Sequence, residues 1–343
     1  MNPLVALRQQ PFVLAPMAGI TDVAFRSFMR EMGCPIVVTE LISANGLEYS
    51  SHRTRDLMKF EAIQHPIGVQ LFGESSEIIA KGAQYVESVG ADFVDLNFGC
   101  PVPKVVKKGG GAAILRDTCR MGELLRTVRK SIRIPLTIKI RTGWDENSRN
   151  AVEVVRIAAD EGIDWVAIHG RTRAQGYAGW ADWDYIADVK AKASIPVLGN
   201  GDIQTAIEAL ERIVSTGVDG VLIGRGALKN PWIFEEACEL WRRKQSGEST
   251  DGPVFQRNLS LALERLKDHI LRHYDPVRAL LHYKKFSAWF STGFPGAAQF
   301  RKGIFQSQDL TSAAVLSRDF FGSLDLQMQA STKEEAFLMG GHG

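Results

Sequence analysis

At 343 residues, 45% of them apolar and 23% charged, the chain has the composition of a folded globular protein with ample material for a core. An α/β barrel commonly takes ~250 residues as one unit, which leaves roughly 90 for something else. The formal net charge is only +2, so any information about charged partners lies in where the charges sit.

Short apolar, β-branched runs recur along the first two thirds of the chain. They predict eight strands: Phe12–Ala15, Ile36–Thr39, Gly68–Leu71, Phe93–Leu96, Leu136–Ile140, Trp165–Ile168, Pro196–Leu198 and Gly220–Ile223. Their near-continuous hydrophobicity fits strands buried on both faces, as in a parallel sheet covered by helices. Amphipathic stretches between them predict helices over Val23–Met32, Ile78–Val89, Arg120–Ile132, Ala151–Glu161, Trp183–Lys192, Thr205–Ser215 and Pro231–Arg243. Glycine in Gly90-Ala91-Asp92, Gly162-Ile163-Asp164 and Gly217-Val218-Asp219 can end a helix just before the next strand. Eight β-α units favour a closed (β/α)8 TIM barrel over an open doubly wound sheet.

The pattern then breaks. Residues 246–253 read as a polar, turn-rich linker, so the barrel is expected to occupy residues 1–245. Beyond it a small all-helical domain is expected over 254–322, with helices Val254–His273, Pro276–Phe290, Ala297–Phe305 and Leu310–Phe320, and a frayed tail over 323–343. Residues 254–310 hold nine Lys/Arg against four Asp/Glu, a balance of +5, so the remainder carries −3. A basic appendage on a slightly acidic barrel suggests an anionic macromolecule as partner, a solvated helical bundle being the alternative.

The four cysteines, Cys34, Cys100, Cys119 and Cys238, form no C-x-x-C pair, and their scatter matches neither a disulfide framework nor a zinc site. No H-E-x-x-H cluster points to a metal either. The N-terminus lacks a charged-then-apolar signal pattern, and no run of ~18 apolar residues suggests a membrane span. The expectation is a cytoplasmic protein in a reducing compartment.

In barrels of this class the active site lies at the C-terminal ends of the strands, and phosphate is commonly bound after strands seven and eight. Those loops read Gly199-Asn200-Gly201-Asp202 and Gly224-Arg225-Gly226. Glycine lets backbone N–H groups approach phosphate oxygens, and Arg225 can add a charge-assisted bond; two tight turns needing glycine for geometry are the alternative. Other strands also end in polar groups: Gln70, Asn97, Lys139 with Arg141, and His169 with Arg171. Lysine within an apolar strand is costly unless an anion accompanies it, so Lys139 marks either a ligand or an interior ion pair.

The loop after strand four, Asn97 to Gly111, is long and basic and ends in three glycines, the composition of a lid. Those glycines lack dinucleotide-fingerprint spacing. Cys100, between Gly99 and Pro101 at a strand end, is placed to react, whereas Cys119 and Cys238 in helical stretches are assigned to packing.

Several of these segments resemble a known family in order along the chain. Leu14-Ala15-Pro16-Met17-Ala18-Gly19-Ile20-Thr21-Asp22 resembles the opening signature of the tRNA-dihydrouridine synthases, and Asp95-Leu96-Asn97-Phe98-Gly99-Cys100-Pro101 resembles their catalytic loop. Lys139-Ile140-Arg141-Thr142-Gly143-Trp144, His169-Gly170-Arg171-Thr172-Arg173, Asn200-Gly201-Asp202 and Ile223-Gly224-Arg225-Gly226 complete the series, and Phe294-Pro295-Gly296 extends it into the helical region. The bacterial B-type branch is the closest in appearance. Phe98 stands where methionine is common and Gly199 where alanine is common, and neither removes a group the chemistry needs.

The resemblance implies an FMN-dependent reduction of the C5–C6 double bond of particular uridines in tRNA, with NADPH (or NADH) reducing the flavin. It implies that Pro16, Met17 and Ala18 line the isoalloxazine and that Gln70, Lys139 and His169 bind its polar edge or ribityl chain. Asn200, Gly201, Asp202, Gly224 and Arg225 hold the phosphate end. Asn97 and Arg141 contact the uracil, and Cys100 is the acid that protonates C5 after hydride reaches C6. Two other readings compete: a flavin barrel acting on a free pyrimidine, like the dihydroorotate dehydrogenases, and a non-catalytic RNA-binding barrel. The first leaves the basic helical region unexplained, and the second leaves Cys100, Lys139 and His169 without a use.

Overall fold

The computed structural model describes residues 2–49, 51–251 and 257–324. The strands are β1 (Phe12–Leu14), β2 (Val37–Val38), β3 (Ile42–Ser43), β4 (Ile67–Phe72), β5 (Phe93–Phe98), β6 (Leu136–Arg141), β7 (Trp165–His169), β8 (Val197–Asn200) and β9 (Gly220–Ile223). All their pairings are parallel, in the order β1-β9-β8-β7-β6-β5-β4-β2. A bridge between Val13 and Ile36, with the Leu14 amide donating to the Ile36 carbonyl at 2.9 Å, closes the ring beside β2. The expected (β/α)8 barrel is therefore what the chain forms.

The second predicted strand, Ile36–Thr39, is observed as the shorter β2, and a further short strand that the sequence reading did not include, β3, follows it, with Thr39 in the gap between them. Both β2 and β3 pair with β4, but between them the Gln70 amide donates to the Thr39 hydroxyl at 3.0 Å instead of to a strand carbonyl. That hydroxyl in turn donates to the Glu40 carbonyl at 2.9 Å. A side chain has replaced one rung of the ladder, as local hydroxyl–backbone bonds do.

Alternation along the strands divides the barrel interior into an apolar floor and a polar top. Phe93 and Trp165 meet edge to face with ring centroids 5.0 Å apart in the same buried cluster as Leu7. Leu7 comes from a helix the sequence reading missed, Pro3–Gln9, which is capped by the Asn2 side chain with Pro3 in its first turn. Two residues further along the same faces lie Asp95, Lys139 and Ala167, and two further still Asn97, Arg141 and His169.

Outside the barrel run helices Val23–Glu31, Ser76–Ser88, Thr118–Ser131, Ala151–Asp160, Trp183–Lys192, Ala206–Thr216 and Ile233–Ser246, within a few residues of expectation. Gly217 shows how sequence sets their ends: it is left-handed at φ 69°, and its amide caps Ile213 at 3.0 Å before β9 begins. Helix Ile233–Ser246 runs into the stretch read as linker, and the rest of that linker from residue 252, like the predicted helix start at Val254, lies outside the described residues. So does the tail from residue 325. Cys119, expected to pack, is exposed in its helix.

Four further helices, Leu259–His273, Pro276–Phe290, Ala297–Gln306 and Leu310–Gly322, form the C-terminal region. They share one hydrophobic cluster with the outer face of the barrel. Phe25 stacks on Phe286 with centroids 4.8 Å apart, and His269 meets the Glu31 carboxylate at 2.7 Å. Part of the +5 balance is spent on structure: Lys284 is buried and donates to the Phe305 and Ser307 carbonyls, and Arg257 pairs with Glu236 at 2.7 Å. No helix among the described residues is long and apolar enough to cross a membrane.

Candidate active site

A cleft of about 650 Å³, counted with the open space at its mouth, lies at the C-terminal ends of the strands. Pro16 and Met17 after β1, Lys139 on β6, His169 on β7, Asn200 at the end of β8, Gly201 and Asp202 after it, and Gly224 and Arg225 after β9 all face it. Ala18 is exposed beside it, and Gln70 sits behind it, 1% exposed within the barrel.

Lys139 is the half-buried ammonium that lines this cleft. Burial and the neighbouring Arg141 charge push its ammonium down to about 8, against the pull of Asp95. No hydrogen bond or ion pair to its Nζ occurs among the described residues. His169 is held neutral, its pKa pushed well below the usual value by burial and then by Lys139, Arg141, Arg171 and Arg225. Arg171 Nη1 lies 3.3 Å from His169 Nε2 and can only donate, so Nε2 accepts and the ring proton sits on Nδ1.

Asp202 departs from what its motif suggests. It holds a left-handed backbone at φ 55°, and its carboxylate receives both Nη groups of Arg171, at 3.0 and 2.8 Å, together with the Ala181 amide. Arg225 Nη2 approaches it at 3.3 Å. This carboxylate is saturated with donors, so it anchors the two arginines. The Asn200 side chain likewise donates to the Leu222 carbonyl at 2.9 Å and braces β8 against β9.

A second network sets the cysteine loop. The buried Asp95 carboxylate accepts from Thr137 Oγ1 and Gln70 Nε2, each at 2.6 Å. Gln70 Oε1 accepts from Asn97 Nδ2 at 2.8 Å, and Asn97 Oδ1 accepts the Gly99 and Cys100 amides at 3.1 and 2.8 Å. Arg141, 2% exposed, clasps the same loop: its Nε donates to the Gly99 carbonyl at 2.9 Å, and its Nη1 to the Thr172 and Gly176 carbonyls. The loop is a folded one, with a short helix over Pro103–Val106 and a 3-10 segment over Gly111–Arg116. Gly111 has φ 56°, and a side chain there would start 2.8 Å from the Cys100 carbonyl.

Cys100 is partly buried, and that burial raises its thiol pKa, outweighing the Val102 amide and the Arg141 and Lys139 charges. Lys104, Lys107 and Lys108 are exposed. The thiol therefore stays protonated at neutral pH, as an acid must. The sequence reading missed Tyr177, Ile203 and Gln204 in the cleft lining. Tyr177 is exposed and lies under both Arg141 and Arg225, whose guanidinium carbons are 5.7 and 5.8 Å from its ring centre. Its signal was an exposed-looking aromatic between Gly176 and Gly179, both left-handed.

Comparison with known proteins agrees with the resemblance. Residues 13–324 match the family model described as dihydrouridine synthase. The chain is 37% identical over 310 residues to tRNA-dihydrouridine synthase B of Pseudomonas aeruginosa, covering 90% of this chain and 92% of that one. It is 34% identical to a probable tRNA-dihydrouridine synthase of Rickettsia conorii, covering 91% and 93%, and 37% identical to a probable tRNA-dihydrouridine synthase 1 of Synechocystis, covering 85% and 81%. Among solved structures, histamine dehydrogenase from Rhizobium sp. 4-9 superposes with a TM-score of 0.50 at 14% identity, over 75% of this chain and 48% of that one, a likeness of fold alone.

Proposed function

The chain belongs to the dihydrouridine synthase family, in its B-type branch, and from that membership we propose that it reduces the C5–C6 double bond of particular uridines in tRNA. The observation that carries this reading is the pairing of a protonated thiol with a cation-lined cleft. Asn97, Gln70 and Arg141 hold the Cys100 loop on the strand ends adjoining Lys139.

The cleft fits a phosphate-bearing flavin, FMN. Lys139 offers a half-buried cation without a protein anion at hydrogen-bonding distance among the described residues, suited to the polar edge of the isoalloxazine. Neutral His169, with its ring proton on Nδ1, lines the cleft, and Gly201 and Gly224 bring backbone to it beside Arg225. Asp202 contributes by fixing Arg171 and Arg225, and Gln70 by holding Asn97 from behind the cleft. A flavin bound there would supply hydride chemistry at C6 of the uracil once reduced by NADPH or NADH. Cys100 then gives its proton to C5, and Asn97 and Arg141 set the direction of that delivery through the loop they hold. A uracil must leave its stack to reach this depth, at a cost of a few kcal/mol that phosphate contacts elsewhere offset.

The test has two parts. Denatured protein should release FMN, identified by mass spectrometry, and tRNA from cells lacking the chain should lose dihydrouridine at defined positions. Release of FAD, turnover of a free pyrimidine without RNA, or an unchanged dihydrouridine map would each overturn the reading.

A further inference from the structure

Trp144, just beyond β6, carries two arginines. The guanidinium carbon of Arg116 lies 4.9 Å from the indole centre and that of Arg173 lies 4.5 Å from it. Arg116 closes the 3-10 segment that begins against the Cys100 carbonyl, and Arg173 follows β7 in the loop whose carbonyls clasp Arg141. Both arginines thus stand on the two loops that flank the cysteine.

Backbone hydrogen bonds tie the platform together. The Thr142 amide donates to the Arg171 carbonyl, the Arg173 amide to Gly143 and the Ala174 amide to Trp144, at 3.2, 2.9 and 2.9 Å. Asn150 Nδ2 ties in the Leu115 carbonyl at 2.7 Å. Gly143 bridges Arg149 so closely that a side chain there would start 2.4 Å from the Ser148 carbonyl.

The charge on this platform is left over. No ion pair to Arg116 or Arg173 occurs among the described residues, and Arg173 Nε is buried without a hydrogen-bond partner. The acids nearby in sequence are engaged elsewhere. Asp117 caps the Arg120 amide, Asp145 accepts from Asn147 and Ser148, and Glu146 pairs with Arg149. Two like charges held on one indole repel each other, and an anion docked beside them would relieve that repulsion. Guanidinium forks match the paired oxygens of a phosphodiester.

We propose that Arg116 and Arg173, stacked on Trp144, form a phosphodiester subsite that grips the RNA backbone next to the target uridine. The proposal rests on the RNA reading above. It makes this platform part of the machinery that keeps a flipped uracil at Cys100.

The experiment measures affinity for unmodified tRNA at several salt concentrations for the intact protein and for Arg116→Met, Arg173→Met and the corresponding Lys variants. Arg8→Met is the charge control, since Arg8 is exposed on the helix below the opposite end of the barrel. Each subsite Met variant is expected to bind several-fold more weakly, with a log–log salt slope shallower by ~0.7–0.9, one phosphate contact's worth. The Lys variants should restore the slope, and flavin content and reduction by the nicotinamide should not change. Met variants that match the intact protein in affinity and slope, or an Arg8→Met loss of equal size, would overturn the subsite while leaving the function intact. Intact protein that binds no tRNA would overturn the reading beneath it.

Discussion

The Cys100 amide donates to Asn97 Oδ1 at 2.8 Å, so the last polar residue of β5 directs the thiol loop away from the strand. Asn97 is itself held by Gln70, and Gln70 by the buried Asp95. Asn97→Ala should then do two things. It leaves Gln70 Oε1 and two loop amides without their partner, which costs about 1–3 kcal/mol for each group that stays buried and unsatisfied. It also frees the direction of the thiol. The expected result is a lower denaturation midpoint with flavin reoxidation by tRNA slowed more than flavin reduction. Equal slowing of both halves would remove Asn97 from the control of Cys100.

Cys100→Ala should separate the half-reactions more sharply. Its thiol is raised by burial and remains a proton donor at neutral pH. General acid catalysis is typically worth ~10²–10⁴ in rate. Anaerobic mixing of pre-reduced variant with tRNA should show reoxidation slowed by that order, while reduction by NADPH stays near normal. Reoxidation at the unaltered rate would exclude Cys100 as the acid. The exposed Cys119 and buried Cys34 should tolerate serine and alanine respectively with both halves intact.

Arg225→Ala should lower flavin occupancy. Arg225 is held over Tyr177 and beside Asp202, yet its side chain is still 32% exposed at the cleft, with donors to spare. Losing one charge-assisted bond should weaken binding by roughly ten-fold or more. Dilution followed by flavin fluorescence reads this directly, and full retention of flavin would reject the role.

Strand positions and strand-end chemistry were legible because both obey local rules. Apolar runs marked the barrel, and a lysine or histidine at the end of such a run is costly without a purpose, so Lys139 and His169 stood out. Features made by distant partners were not legible. Thr39 lies just past the end of β2 with its hydroxyl bonded to Gln70, 31 positions away, and nothing local distinguishes it from any strand threonine. Asp202 reads as a ligand in its motif, but Arg171, also 31 positions away, occupies its carboxylate. Lys284 counted toward a basic surface until its burial against two carbonyls showed otherwise. The Pro3–Gln9 helix had a readable start in Asn2-Pro3, a capping side chain followed by proline in the first turn.

Lys139 gives the flavin-free protein a characteristic pH response. Burial and Arg141 lower its ammonium from 10.5 to about 8. Between about 8 and 10.5 the unfolded chain holds a proton that the folded chain has released, so stability from this group rises with pH across that window. Below about 8 both states are protonated and the full penalty of the buried charge applies. Lys139→Met should therefore be the more stable apoprotein at pH 7, with the advantage shrinking toward pH 10. Urea midpoints of the two proteins at several pH values measure it. A difference that does not change with pH would mean that Lys139 is not the group responsible.

The helical region should prove inseparable from the barrel. From the linker-like sequence alone, a chain ending near Ser249 is expected to keep some flavin and lose most of its tRNA affinity. The packing argues against the retained flavin. Phe25 stacks on Phe286 at 4.8 Å, Phe28 lies 6.3 Å from Phe290, and Leu266 and Ile270 join the same buried cluster. Each aromatic buries ~150–250 Å², so the cut exposes a patch beyond what soluble monomers normally show. It also removes Lys285, whose Nζ donates to the Gly19 carbonyl at 2.7 Å in the loop that brings Met17 to the cleft. The truncated chain should aggregate and lose flavin along with tRNA affinity. A gentler variant isolates the cause: Phe286→Ala should cost about 3–5 kcal/mol, as large aromatic truncations in cores do. Denaturant midpoints of Phe286→Ala, read beside flavin retention, decide the point. A cost under 1 kcal/mol, or a soluble yellow protein ending at Ser249, would establish the barrel as an independent unit.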